Sequence, residues 1–376
     1  MNLMGGTVIM PSLRCTKCGH EFSLDDARLI VPRCPRCGEV LEIIGEEPVW
    51  RPRGSGLARY SSMLVIKPVM YRGEGGTQLV VEEYRGLRLW FKLEYTNPSG
   101  SFKDRGSALA LSHASMLGVS CVVEDSSGNA GLAVARTARI SGMEALIVVP
   151  RDAPEGKKRA IRLLGAGLVE AETRAAAASL ASKLAREKNC YYVYHLGNPF
   201  FIQGLETIAY EVYEQEGVPD AVIAPFGSGG LFLGIARGFE KLRSLGLARK
   251  QPVMIAVQGV EVHPLYDAVH GSVVASGSSQ LADGIRVPDP PLLSQGARVV
   301  KESRGRVILV NDEEITRALQ GLVDRGFIVE PTSASALAAL DKIIDELREN
   351  GVRDVLLPLT GSGLKVLDEL VKLLGA

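Results

Sequence analysis

Apolar residues along this chain fall into two alternating kinds of run. Short aliphatic or β-branched stretches close on turn residues: LRLWFKLE (87–94), SCVVEDSS (120–127), EALIVVP (144–150), YYVYH (191–195), DAVIAPFG (220–227), VMIAVQGV (253–260), GFIVE (326–330) and DVLLPLTG (354–361). Between them lie longer stretches with apolar residues three and four apart, such as GNAGLAVARTARISG (128–142), AAAASLASKLAREKN (175–189), FLGIARGFEKLRSLG (232–246) and SASALAALDKIIDELRENG (333–351). The first kind predicts buried strands and the second predicts helices with one apolar face. Strands alternating with helices of this length predict an α/β fold whose mainly parallel sheets are covered on both faces. In such sheets ligands sit beyond the carboxyl ends of the strands, so the loops closing each strand are where chemistry is to be sought. Ahead of this pattern, RPRGSGLARYSS (51–62) reads as a linker and KPVMYRGEGGTQLV (67–80) as an irregular lead-in.

Composition narrows the class. The 376 residues suit two domains plus an extension. Lys plus Arg and Asp plus Glu are 43 each, so no overall field favours nucleic acid or a membrane surface. No run reaches the ~18 apolar residues of a membrane span, and the first residues carry no secretory pattern, so a cytoplasmic protein is expected.

The cysteines add a second unit. Cys15, Cys18, Cys34 and Cys37 form C-x2-C-x15-C-x2-C, with Gly19 and Gly38 directly after each pair. That spacing predicts a zinc ribbon, two tight turns each offering two thiolates to a tetrahedral ion. A segment this short cannot hold together on burial alone, so metal would supply its folding energy. Cys121 and Cys190 begin strands and read as small buried hydrophobes.

Four strand ends carry loops rich in glycine, hydroxyl and amide groups. DSSGNAG (125–131) runs into a helix, and its backbone N–H groups and hydroxyls suit a carboxylate at Ser126 and Ser127. FGSGG (226–230) lets the amides of Gly227, Ser228, Gly229 and Gly230 close around a phosphate, but it has neither the Lys-Ser/Thr of a nucleotide P-loop nor the spacing of a dinucleotide site. TGSGLK (360–365) offers the Thr360 hydroxyl, and NPSGSFKDRG (97–106) places Lys103 at a helix start, where the neutral amine is favoured. A single-phosphate cradle, a lysine, an amide and a hydroxyl on four strand ends together point to pyridoxal 5′-phosphate. Lys103 would tether it, Gly227–Gly230 hold its phosphate, Asn129 reach the ring hydroxyl and Thr360 the ring nitrogen.

These motifs, with SSGN (126–129), GFIVEPTSAS (326–335) and HLGNPFFIQGLET (195–207), resemble those of fold type II pyridoxal-phosphate enzymes, in the same order over roughly residues 50–370. Within that superfamily the chain is most similar to the threonine synthases, some of which also carry a Cys-pair ribbon. The resemblance implies a tryptophan synthase β-like fold of two three-layer α/β domains plus the ribbon. The implied boundaries are 1–48 for the ribbon, 49–106 with 205–376 for a large cofactor-binding domain, and 107–204 for a small domain. It also implies a homodimer, and conversion of O-phosphohomoserine and water to threonine and phosphate. Lys103 would be the catalytic base, and Ser126, Ser127, Gly128, Asn198 and Arg286 would meet the amino-acid substrate. Three positions depart from that family: Phe201 stands where an Arg commonly pairs with the substrate phosphate, Ser362 where a His is usual, and Gly128-Asn129-Ala130-Gly131 where Gly-Asn-Thr-Ser is usual. Lys157, Lys158, Arg159 or Arg162 is then expected to take the phosphate.

Competing readings are a serine/threonine dehydratase, an O-phosphoserine-dependent cysteine or cysteate synthase, and an inactive binding homologue. The chain ends soon after TGSGLK, so a dehydratase with an appended regulatory domain is not expected. A nucleic-acid role for the ribbon is not expected either, since its arginines are balanced by Asp25, Asp26, Glu39, Glu42, Glu46 and Glu47. His113 and His270 read as packing or surface residues on helices, and His195 as a strand end close to the site.

Overall fold

The computed structural model describes residues 10–375 except 70, 152, 154 and 274. Three short strands, β1 (Ser12–Cys15), β2 (Glu21–Ser23) and β3 (Leu41–Ile44), pair antiparallel in the order β2-β1-β3. A hairpin, β4 (Leu79–Tyr84) and β5 (Leu87–Lys92), then leads to α1 (Lys103–Met116). Next come β6 (Cys121–Glu124), α2 (Asn129–Ser141), β7 (Glu144–Pro150), α3 (Glu155–Leu163), β8 (Gly167–Ala171), α4 (Arg174–Glu187) and β9 (Tyr191–Tyr192). After α5 (Pro199–Gln215) follow β10 (Ala221–Pro225), α6 (Gly230–Ser244), β11 (Val253–Gly259), α7 (Pro264–His270), α8 (Leu293–Glu302), β12 (Arg306–Val310), α9 (Asp312–Val323), α10 (Pro331–Glu349), β13 (Asp354–Pro358) and α11 (Leu367–Leu374).

These strands form a six-stranded sheet, β12-β11-β10-β13-β5-β4, and a four-stranded one, β8-β7-β6-β9. All neighbours in both are parallel except β4 and β5, which pair antiparallel along six residues. This is the α/β architecture the apolar runs predict. No described helix is long and apolar enough to cross a membrane.

Several local expectations give way. GFIVE forms no strand, because Val329 makes only a single bridge to Ser362. The lead-in is partly ordered as β4, since its alternate residues pack across β5. Helix α1 shows no apolar stripe because it is buried all round, from Asp104 to Ala114. Its Arg105 is wholly buried and is held by Glu94 at 2.7 Å and Glu211 at 2.6 Å, while Lys92 meets Glu211 at 2.7 Å. Removing one member of such a network strands a buried charge, at a cost of roughly 3–5 kcal/mol.

Cys121 and Cys190 are not independent small hydrophobes. They form a disulfide, because the parallel register that pairs Val122 with Tyr191 brings their Cα atoms to 4.8 Å. The ribbon packs on the rest of the chain through Leu13, Phe22, Leu29 and Leu41 against Leu109 and Phe200, and through Val31 and Val40 against Tyr192 and Tyr194. Buried His113 links the two, bonding the Tyr191 hydroxyl at 2.9 Å and the Leu24 carbonyl at 2.8 Å.

Candidate active site

The loops that close β5, β6, β10 and β13 line one cavity of about 660 Å³. Lys103 is the first residue of α1, and the turn before it is fixed to the loop after β13. The Phe102 N–H donates to the Thr360 carbonyl at 3.1 Å, the Ser362 N–H to the Gly100 carbonyl at 2.9 Å, and Ser101 bridges Gly361. Burial is the first cause that brings the Lys103 amine down to about 8, with Glu124 and Glu330 opposing it. Desolvation therefore favours the neutral amine here.

Glu330, just before α10, ties two of the loops together. Its carboxylate accepts from the Asn129 amide at 2.8 Å and from the Thr360 hydroxyl at 2.9 Å. Lys365 donates to the Asn129 carbonyl oxygen and to the Gly100 carbonyl. Only glycine fits at 361, where a Cβ would lie 2.4 Å from the Glu330 carboxylate.

The turn from β10 into α6 carries the glycine loop. Gly229 has φ +99°, and a Cβ at Gly227 would stand 2.2 Å from the Gly284 carbonyl oxygen. Backbone packed this closely at a helix N-terminus leaves amides, rather than side chains, facing the cavity. Ser126, Ser127 and Gly128 line the wall between β6 and α2. The residues present fit pyridoxal phosphate: a glycine-rich amide cradle whose one side chain is the small Ser228, a desolvated lysine, and an amide and a hydroxyl on adjoining loops.

Two expected substrate contacts lie elsewhere. Asn198 is fully buried and caps α5, accepting from the Phe200 N–H at 3.0 Å while donating to the Val193 carbonyl at 2.7 Å. Arg286 does not line the cavity, and its Nε is buried with no partner among the described residues. Of the expected cations only Lys157 reaches the wall; Lys158 instead bonds Glu170 and the Arg151 carbonyl, each at 2.8 Å. Arg174, at the start of α4, lines the wall too and pairs with Asp283 at 3.6 Å. Phe201 is buried against α1, where a Cβ on Gly106 would meet its ring at 2.2 Å.

The strand-end motifs also leave out a charged group on the β6–β9 side. Glu124, Asp125 and His195 cluster with their donor atoms within 4.8 Å of one another. The Nδ1 of His195 is hydrogen-bonded to Glu124, and the Tyr192 hydroxyl donates to Asp125 at 2.8 Å. Burial pushes Glu124 up to about 8 and Asp125 up to about 6, and it brings His195 down to about 3. Only EDSSGN hinted at the acids, since their pairing with a residue 71 positions away is a property of the fold.

In the ribbon, the Cys15 and Cys37 sulfurs are 3.4 Å apart and those of Cys18 and Cys34 are 3.7 Å apart. Four sulfurs on a tetrahedral ion with ~2.3 Å bonds would sit roughly 3.8 Å from one another. Gly19 and Gly38 take positive φ, +69° and +74°, and each N–H returns to the carbonyl of the first Cys of its pair.

A family model described as pyridoxal-phosphate dependent enzyme matches residues 70–361. The threonine synthase of Methanocaldococcus jannaschii is 31% identical, with 96% of this chain and 94% of that protein aligned. The threonine synthase of Mycobacterium tuberculosis is 32% identical, over 80% of this chain and 84% of its own. Among solved structures, threonine deaminase isoform 2 of Solanum lycopersicum superposes with a TM-score of 0.67 at 25% identity, covering 80% of this chain and 83% of that one. Maize serine racemase, at 23% identity and a TM-score of 0.66 over 80% and 92% of the two chains, shares the fold.

Proposed function

The chain belongs to the pyridoxal-phosphate dependent enzymes, and from that premise we propose that it is a threonine synthase converting O-phosphohomoserine and water to threonine and phosphate. The observation that carries this reading is the 31% identity to a threonine synthase over nearly the full length of both chains. When bound, the cofactor supplies a sink for the electron pair released as the Cα–H bond breaks. Lys103 would hold it and then, as a desolvated neutral amine, take the Cα proton and return protons to carbon. The amides of Gly227–Gly230 would hold the cofactor phosphate, Asn129 would face its ring hydroxyl and Thr360 its ring nitrogen.

Ser126, Ser127 and Gly128 would bind the substrate carboxylate at the α2 N-terminus. Phe201 is buried and Lys365 is engaged by Gly100 and Asn129, so Lys157 and Arg174 would take the substrate phosphate. Asn198 and Arg286 would support the site from behind. We further propose one zinc ion on Cys15, Cys18, Cys34 and Cys37, domain limits as the motif order implies, and a cytoplasmic homodimer. Incubation with O-phosphohomoserine should release phosphate and threonine in equal amounts. Ammonia and an oxo acid formed from threonine would favour a dehydratase, and no phosphate release would overturn the reading.

A further inference from the structure

The reaction proposed above needs a second proton carrier. The water that becomes the threonine hydroxyl must lose a proton as its oxygen bonds to Cβ. His195 stands where such a carrier is needed. It follows β9 closely and lines the same cavity as Lys103. Its Nδ1 is bonded to Glu124, and its backbone N–H donates to the other oxygen of that carboxyl at 3.4 Å. Glu124 is wholly buried at the end of β6, the strand that pairs with β9. No described protein group bonds Nε2, and the 11% of the His195 side chain that is exposed belongs to a residue of the cavity wall. The ring of Phe201 lies 6.3 Å from the imidazole and 5.7 Å from the Lys103 Nζ, so both groups neighbour one apolar ring.

We propose that His195, oriented by Glu124, is a catalytic base that takes a proton on Nε2 from the water attacking Cβ. The inference rests on the threonine synthase reading. A carboxylate bound to Nδ1–H leaves the lone pair on Nε2, so the pair sets the tautomer a base requires. In that step the water oxygen bonds to Cβ as the Cα–Cβ π bond opens, and one water proton goes to Nε2. The electron pair arriving at Cα takes a proton from the Lys103 ammonium, and the proton on His195 returns to the Lys103 amine through solvent. The charged groups facing the imidazole are Lys103 from α1, Asp125 beside Glu124, and Arg174 from the start of α4. Burial first, then any positive charge on Lys103 and that of Arg174, keeps the ring neutral against the opposing pull of Asp125. The buried Glu124 carboxyl gives the pair its base form as pH rises through about 8.

The test uses the holoenzyme with O-phosphohomoserine. His195→Gln should keep the cofactor absorbance and release phosphate within about threefold of the unmutated rate, yet lose threonine at least ~10-fold. The difference should emerge as 2-oxobutyrate and ammonia, because the unhydrated product of phosphate loss hydrolyses. Glu124→Gln should divert product less, and ¹⁵N NMR at pH 9 should show the His195 proton moved from Nδ1 to Nε2. One threonine per phosphate at an unchanged rate in His195→Gln overturns the assignment. So does a parallel loss of both products with the tautomer unchanged in Glu124→Gln, which marks a structural role. No phosphate from the unmutated enzyme overturns the reaction itself, and the role of His195 with it.

Discussion

The two walls of the cavity are built differently. The inner wall on the six-stranded sheet is mostly backbone and small polar groups, the glycine loop after β10 and Thr360, and its charged groups are tied inward: Glu330 is satisfied by Asn129 and Thr360, and Lys365 donates to Gly100 and Asn129. The wall on the four-stranded sheet carries titratable and charged groups, Asp125, His195, Lys157 and Arg174, with Glu124 buried behind His195. Amide cradles recognise one fixed group and tolerate little change, because added atoms collide with packed backbone. Charged side chains on strand ends and helix starts can be exchanged without moving the chain. The first wall therefore suits a cofactor shared by many reactions, and the second suits the substrate that distinguishes them.

The largest expected break in that contrast is at the lysine between the walls. Lys103→Ala should abolish the visible absorbance of bound cofactor and lower turnover at least ~10³-fold. A protein that kept the band would refute the assignment. Next, Gly227→Ala drives a Cβ to 2.2 Å from the Gly284 carbonyl, which should cost about 1–3 kcal/mol and weaken cofactor binding about tenfold in an absorbance titration. Its KM for substrate, measured at saturating cofactor, should change little. The smallest effect belongs to the charged wall. Arg174→Ala should leave the cofactor band intact and raise KM for O-phosphohomoserine on the order of tenfold, with kcat less affected. If cofactor binding fell instead, the division of labour between the walls would be wrong.

The same contrast governs what was legible in the sequence. Glycine loops announce themselves locally, because a positive φ such as that of Gly229 or a close approach such as that of Gly227 demands glycine at one position. The α/β order was legible for a similar reason, since each buried strand is a contiguous apolar run. What stayed hidden depends on burial and on distant pairing. His195 looks like an ordinary strand end until Glu124 is placed beside it. Arg174 reads as one more surface charge until the start of α4 is seen to face the cavity. Helix α1 escapes pattern reading because its polar residues are buried with the apolar ones, Arg105 among Glu94, Glu211 and Thr77. Cys121 and Cys190 lie 69 residues apart, and only the register of β6 with β9 makes them partners.

That disulfide has a mechanical consequence. It staples the amino ends of two neighbouring parallel strands whose carboxyl ends carry Glu124 and His195. The chain from Cys121 to Cys190 is thus a covalent ring containing Ser126, Ser127, Asn129, Lys157 and Arg174. Closing a ring of this size removes roughly 4 kcal/mol of freedom from the unfolded chain. A backbone cut inside the ring would not release a fragment. The two pieces would stay joined until a thiol reductant opened the bond, so the charged wall is secured by a tie that the cofactor wall does not share.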